Sequence, residues 1–192
     1  MAAGTPAPLP GGVQRILIQG VTGSGKSTLA AMLAGTLGLP CHLADEEVGW
    51  LPGWTNRPVA QQRELAAALV AQPGWALDGA YSPWWDLVVP RAQVVVCLDY
   101  PRLTSLRRLL VRSIRRAATR EPVCNGNTES IRILFSGESI IAWHSHSFAR
   151  KRAAMRALAA APGAAHVVLL RSPRHTRAWL SGLARSCAPE RT

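Results

Sequence analysis

Apolar residues along this chain follow two spacings, and the two alternate. Short continuous runs recur at Ile16-Leu17-Ile18, Trp75-Ala76-Leu77, Val94-Val95-Val96-Cys97-Leu98 and Val167-Val168-Leu169-Leu170. Runs of this length, bounded by Gly, Pro and Asp, read as strands apolar on both faces, as in a parallel sheet. They predict strands over 14–19, 75–77, 93–98 and 166–170, with a shorter one over 40–43. Between them the apolar positions fall three and four apart. Leu29, Met32, Leu33 and Leu37 mark a helix that Gly38 and Pro40 end. Val59, Leu65, Ala66, Leu69 and Val70 mark a second, opened by Pro58 and closed by Pro73-Gly74. Leu106, Leu109, Leu110, Val111 and Ile114 mark a third, from Arg102 to about Arg120. A short helix over 130–135, capped by Asn127 or Thr128, is separated by Gly137 from a helical pair over 138–146 and 147–160. A last helix starts at Ser172-Pro173 and runs to about Arg185. Residues 49–57 and 121–128 read as loops.

Strands alternating with helices imply crossover connections and a parallel sheet covered on both faces. The expected architecture is α/β: a three-layer sandwich on a five-stranded parallel sheet. A length of 192 residues suits one domain. Its expected extent is 13–186, after a disordered tail over 1–12 that has little to bury.

Charge changes the picture modestly. Lys and Arg number 22 against 11 Asp and Glu, a net +11, which suits an anionic partner. Only Lys26 and Lys151 are lysines. The Ala-rich stretch 153–170 is broken by Arg156, Pro162 and His166, so no membrane span is expected. Cys41, Cys97, Cys124 and Cys187 show no paired spacing and read as reduced thiols of a cytoplasmic protein. His144-Ser-His146 lacks a nearby acidic or thiol partner and reads as a polar surface pair rather than a metal site.

The candidate chemistry centres on the turn after the first strand. Gly20, four residues, then Gly25-Lys26-Ser27 is the Walker A pattern, in the strand–turn–helix context it requires. Gly20, Gly23 and Gly25 let the backbone turn N–H groups inward toward phosphate oxygens. Val21, Thr22, Ser24 and Thr28 complete the stretch, and the helix starting near Lys26 adds its positive end. The Lys26 ammonium is expected to reach the outer phosphates and the Ser27 hydroxyl to ligate Mg²⁺. ATP and Mg²⁺ are therefore the expected cofactors. Asp78 and Asp99 each follow an apolar strand and are both candidates for the Mg²⁺ shell. Asp45 follows the short second strand, where open α/β sheets bind ligands, and is a candidate to bind or deprotonate an acceptor hydroxyl. The Arg112–Arg120 cluster is a candidate lid.

These residues carry a resemblance. The chain resembles the adenylate-kinase-like group of P-loop kinases, and within it the bacterial topology modulation proteins. The resemblance rests on Gly20–Thr28, Leu51-Pro-Gly-Trp54, Leu77-Asp-Gly-Ala-Tyr81, Leu98-Asp-Tyr-Pro-Arg102, the arginines of 107–116, Asn125-Gly-Asn-Thr-Glu129 and Leu170-Arg-Ser-Pro-Arg174. It implies an adenylate-kinase-like P-loop NTPase fold with a helical lid over roughly 112–150. It implies that Asp78, rather than Asp99, serves Mg²⁺ together with Ser27. It implies that Arg108 and Arg112 cover the adenine and contact phosphates, that Arg116 lies in the lid, and that Arg171 and Pro173 line the adenine edge. Asp45 matches the acidic position of the acceptor site. Where adenylate kinases carry Phe-Pro-Arg after Asp-Gly, this chain has Ala80-Tyr81-Ser82, which argues against AMP as acceptor. Trp50, Trp54, Tyr81, Trp84 and Trp85 offer aromatic faces for an acceptor instead.

The resulting expectation is ATP- and Mg²⁺-dependent phosphoryl transfer to a small hydroxyl or phosphate acceptor, such as a nucleoside or nucleotide. Lys26, Asp45, Arg112 and Arg116 are its expected catalytic residues, in a monomer or homodimer. The rival expectation is an ATP-binding regulator whose arginine-rich helix contacts DNA or RNA, and it ranks lower because no nucleic-acid motif is visible.

Overall fold

The computed structural model describes residues 8–129, 140–161, 163 and 165–187. The elements in chain order are β1 (Arg15–Gly20), α1 (Lys26–Leu37), β2 (Cys41–His42), the hairpin β3 (Trp50–Leu51) and β4 (Thr55–Asn56), and α2 (Val59–Val70). There follow β5 (Trp75–Leu77), the short α3 (Trp85–Val88), β6 (Val94–Leu98), α4 (Arg102–Thr119), and a second hairpin, β7 (Pro122–Val123) with β8 (Asn127–Thr128). The chain closes with α5 (Ile140–Ala160), β9 (His166–Leu170) and α6 (Pro173–Cys187).

The main sheet has the order β2-β5-β1-β6-β9, and all its neighbours are parallel. Register follows the apolar runs: Ile18 lies opposite Val96, and Val96 opposite Val168. Side chains alternate across the pleat, so the central strands feed two cores. Ile16, Ile18, Val94, Val96 and Leu98 pack with Leu29 and Leu33 of α1 and Trp179 of α6. Leu17, Val95 and Cys97 pack with Leu69 of α2, Val88 of α3 and Met155 of α5. This is the expected three-layer α/β sandwich of five parallel strands.

Three details depart from the sequence reading. The loops at 49–57 and 121–128 each contain a two-stranded antiparallel hairpin. The helical pair expected over 138–146 and 147–160 is one continuous helix, α5. His144 is not a surface residue: it is fully buried, with Nε2 2.9 Å from Ser105 Oγ of α4, while His146 is exposed. Four-residue spacing puts His144 and Phe148 on the same face of α5, and both are buried. The helix expected over 130–135 and the Gly137 break lie outside the described residues. So does part of the lid expected over 112–150; its described parts are the end of α4, the β7–β8 hairpin and the start of α5.

Candidate active site

The strand order reverses direction around β1, whose neighbours β5 and β6 are reached by separate excursions of the chain. Ligands of open α/β sheets bind beyond the carboxyl ends of the strands at such a point. The Gly20–Gly25 turn stands there. Gly23 and Gly25 have φ of +81° and +96°, a left-handed geometry that side chains resist. A Cβ on Gly20 would meet Ser24 Oγ at 2.5 Å, and one on Gly23 would meet the Ser105 carbonyl of α4 at 2.4 Å. The turn is thus a cradle with no room for side chains, closed from behind by α4. Ser24 is buried with its hydroxyl unpartnered among the described residues. Thr22 lies part-buried in the turn, while Ser27 and Thr28 sit exposed in the first turn of α1.

Lys26 lies part-buried among the charges of Asp45, Asp78 and Arg112. Burial lowers its pKa, against the pull of the two carboxylates. Asp78 follows β5 and is buried; it accepts from Ser27 Oγ at 2.5 Å and from the Ala44 backbone N–H at 2.7 Å. Loss of hydration pushes its pKa up to about 6, against the hydrogen bonds of Ser27 and Ala44 and the charge of Lys26. Gly79 beside it has φ +137° and faces Lys26, with an added Cβ falling 3.6 Å from Lys26 Cε. A Ser hydroxyl and a carboxylate in contact, next to the phosphate cradle, form a donor set of hard oxygens that fits Mg²⁺.

Asp99, the other carboxylate considered for that shell, is otherwise engaged. It ends β6 fully buried, and takes Arg152 Nε at 2.5 Å and Arg156 Nε at 3.0 Å, both from α5. The structure therefore puts Asp78, not Asp99, against Ser27. Nothing in the spacing of the sequence singled out Arg152 and Arg156; their i, i+4 relation on a helix facing β6 was the available signal.

Asp45 opens a single wide helical turn over Asp45–Gly49, and the Tyr81 hydroxyl donates to its carboxylate. Burial and the nearby Asp45 carboxylate raise the Tyr81 pKa far above the ordinary phenol range, so the phenol stays a donor. The aromatics separate. Trp84 is fully buried and its indole N–H donates to Gln62 Oε1 at 3.1 Å, so it is core and not pocket. Trp50 and Trp54 stand edge to face, ring centres 5.6 Å apart, in the β3–β4 hairpin.

The arginines of α4 also separate. Arg108 donates to the Ser24 carbonyl at 3.1 Å, lies over the Tyr100 ring, and presses on Gly25. Arg112 is part-buried, with Nε unpartnered among the described residues, in the field of Arg116, Glu129 and Asp45. Arg116 pairs with Glu129 at 3.4 Å and Glu121 at 3.6 Å. Arg171 directly follows β9, exposed, and Pro173 is the first residue of α6. The structure thus brings Lys26, Ser27, Asp45, Asp78 and Arg112 together around the turn, with Arg108 fastened to it. Arg171 stands at the carboxyl end of the sheet with no side-chain hydrogen bond or ion pair among the described residues.

No protein-family model matches the chain, and no curated protein matches it. Solved structures do. A shikimate kinase from Acinetobacter baumannii in complex with shikimate is 15% identical, with a TM-score of 0.56, over 91% of this chain and 93% of that one. A shikimate kinase from Bacteroides thetaiotaomicron is 13% identical, with a TM-score of 0.54, over 91% and 98%. A gluconokinase from Sinorhizobium meliloti is 16% identical over 90% and 94%, at a lower TM-score of 0.46. At these identities the likeness to the two shikimate kinases shows a fold alone: this chain has their P-loop NTPase fold.

Proposed function

We propose that the protein is a P-loop kinase that transfers the terminal phosphoryl group of ATP to a hydroxyl of a small molecule. The observation that carries the reading is the cluster around the turn. Lys26, the Ser27–Asp78 pair and Asp45 meet at one end of β1 and β5, where a backbone cradle excludes side chains. Phosphoryl transfer asks a protein mainly for positioning and electrostatic stabilisation, and these are the groups that supply both.

In this reading the N–H groups from Gly20 to Thr28 and the N-terminus of α1 hold the phosphates. Lys26 holds the migrating group, and Arg112 and Arg116 neutralise the charge that develops on it. Ser27 and Asp78 would hold Mg²⁺, which would supply positive charge against the phosphates. Arg108, Arg171 and Pro173 bound the base. Asp45, which accepts from the Tyr81 hydroxyl, orients the acceptor hydroxyl and takes its proton. The fold shared with a shikimate kinase in complex with shikimate is in keeping with a hydroxyl acceptor. Topology modulation proteins are the finer resemblance, and the Asn125–Glu129 and Leu77–Tyr81 stretches support it. The rival role in binding nucleic acid loses ground because Arg112 and Arg116, central to the basic helix, turn inward.

The test is transfer from labelled ATP to a panel of nucleosides, nucleotides, sugars and hydroxy acids, with Lys26→Ala as control. Label is expected on one class of acceptor, and Lys26→Ala is expected to slow transfer by roughly 10²–10³-fold with the fold intact. Turnover unchanged in Lys26→Ala, or hydrolysis without any acceptor, would overturn the reading.

A further inference from the structure

One residue of β1 is used neither by the core nor by the site described above. Ile16, Leu17 and Ile18 are fully buried, as a central strand requires, and Gln19 then interrupts the apolar run one residue before the phosphate-binding turn. Its side-chain face is fixed by alternation along the strand. A Cβ on Gly20 would meet Ser24 Oγ and, at 3.3 Å, Lys26 Cγ, so Gly20 looks toward α1 and the turn. Gln19 looks the other way, onto the face where Leu17 packs with residues of α2 and α5. It stands opposite Cys97 of β6, which is fully buried.

The carboxamide has no protein partner there. Nε2 is buried, and neither end of the amide joins a hydrogen bond among the described residues. Buried polar groups are nearly always paired, so this one calls for an explanation. The carboxylates that follow both flanking strands are engaged elsewhere: Asp78 with Ser27 and the Ala44 N–H, Asp99 with Arg152 and Arg156. Yet Gln19 is only part-buried, while Ile18, Gly20, Leu77 and Cys97 around it are buried. β1 is central in the sheet, and helices cover both faces. The accessible part of Gln19 therefore opens where the helices stop, at the carboxyl end of the sheet. That opening is the cleft of Lys26, Asp45 and Asp78. Asp45 borders it from beyond β2, and β5 lies between β2 and β1, so the two strands are about 10 Å apart. Asp45 Oδ1 accepts from the Tyr81 hydroxyl, which leaves Oδ2 for a hydroxyl of the acceptor.

We propose that Gln19 is a specificity-determining residue of the acceptor site, its carboxamide hydrogen-bonding a second oxygen of the acceptor while Asp45 receives the reacting hydroxyl. The acceptor class is then a small polyhydroxy compound, with at least two oxygens on one carbon frame, and not a simple alcohol. This rests on the kinase reading given above and adds to it what the acceptor must carry. A half-turn about the Cγ–Cδ bond exchanges the NH₂ and the oxygen of an amide that nothing else holds, so the acceptor sets which end it meets.

The test measures phosphoryl transfer from labelled ATP to adenosine, glucose, gluconate and quinate, and then to the singly deoxygenated analogues of whichever takes the label. It compares the full chain with Gln19→Met, which keeps nearly the same shape and loses the amide. The unsubstituted protein is expected to lose roughly 10-fold in kcat/KM toward the analogue that lacks one particular oxygen, the size of one neutral hydrogen bond. Gln19→Met is expected to raise KM for the intact acceptor by a similar factor with kcat within about twofold, and to treat that analogue and the intact acceptor alike. Its ATP affinity, read by calorimetry, is expected to stay within about twofold, since Gln19 faces away from the turn. Its melting midpoint is expected to hold or rise, because an unpaired buried polar group has gone. Unsubstituted protein that labels none of the four compounds overturns the kinase reading itself. Label transfer that is equal for every deoxygenated analogue, or Gln19→Met that matches the unsubstituted protein in KM and in discrimination, overturns the Gln19 assignment alone. A lowered melting midpoint with ATP and acceptor affinities falling together also overturns it, and makes the amide a structural group.

Discussion

Asp78 and Asp99 have the same sequence context, an apolar strand followed by an acid, and opposite surroundings. What separates them is which helix supplies their neighbours. Asp78 meets a hydroxyl and a backbone N–H at the head of α1, and Asp99 meets two guanidiniums from α5. The first is a carboxylate with a raised pKa and spare oxygen lone pairs; the second has each oxygen taken by a guanidinium. A consequence at Asp78 is measurable. Its pKa of about 6 means that the carboxyl holds its proton below that pH in the ligand-free protein. A metal ligand must be deprotonated, so protons compete with Mg²⁺ there. Mg²⁺ affinity is expected to be flat above about pH 6.5 and to fall about tenfold per unit on acidification below 6. Titrating Mg²⁺ into the nucleotide-free protein at pH 5.0, 6.0 and 7.5, where no phosphate titrates alongside the carboxyl, checks this. An Asp78→Asn variant is expected to lose both the affinity and its pH dependence, and a flat profile in the unsubstituted protein would remove Asp78 from the metal shell.

At the scale of elements, the two small hairpins matter more than their length suggests. Asn127, buried at the start of β8, accepts from the Trp54 N–H at 2.8 Å and donates to the carbonyls of Leu51 at 3.0 Å and Cys124 at 2.6 Å. Asn125 donates to the carbonyls of Glu46 and Trp50 at 2.7 and 2.6 Å, and the Trp54 indole N–H donates to the Thr128 carbonyl at 3.2 Å. The β7–β8 hairpin is thus laced onto the β3–β4 hairpin, and the two form one body. Asn127→Ala is expected to strand several backbone groups and cost roughly 2–3 kcal/mol locally. Amide exchange is then expected to speed up in both hairpins together, with β1, β5 and β6 unchanged. Acceleration confined to 122–128 would mean the hairpins move independently.

The same elements show what the sequence could and could not display. β1, β5, β6 and β9 were legible because each is a continuous apolar run, and the α1 start because the phosphate-binding pattern fixes it to a residue. The hairpins were not, since two-residue strands carry no alternation and owe their existence to asparagine side chains bonded across 75 residues of chain. The continuity of α5 was not either: the run 144–147 is polar, and that His144 and Ser147 are buried, with His144 bonded to Ser105 of α4, is not visible in the spacing. At the site, topology offered Asp78 and Asp99 alike, and only the resemblance favoured Asp78, which is the one that meets Ser27. The pairing of Asp99 with Arg152 and Arg156 was only half legible: their four-residue spacing shows a shared helix face, but not which strand that face meets.

For the whole molecule, the question is what the net charge of +11 is for. The basic residues fall into two populations. Lys26 and Arg112 are part-buried near the phosphate-binding turn, and Arg116 is part-buried between Glu121 and Glu129, whereas Arg107, Arg115, Arg120, Arg174 and Arg177 are exposed on α4, α6 and the chain after α4. The first population suits one compact polyanion, and Arg115 in the second is already paired with Glu121 at 3.1 Å. A surface array of this kind attracts phosphate backbones only through counterion release, which salt removes steeply. Any binding of duplex DNA at about 50 mM salt is therefore expected to vanish by about 200 mM, while ATP affinity changes far less. Because the two populations do not share residues, saturating ATP is expected to leave the DNA-binding curve at low salt where it was. Arg107→Gln with Arg120→Gln is expected to weaken that DNA binding and leave ATP untouched. Fluorescence anisotropy of a labelled duplex, with and without ATP, reads both. DNA binding that survives at about 200 mM salt, or that ATP displaces, would place nucleic acid inside the site and favour a regulator over a kinase.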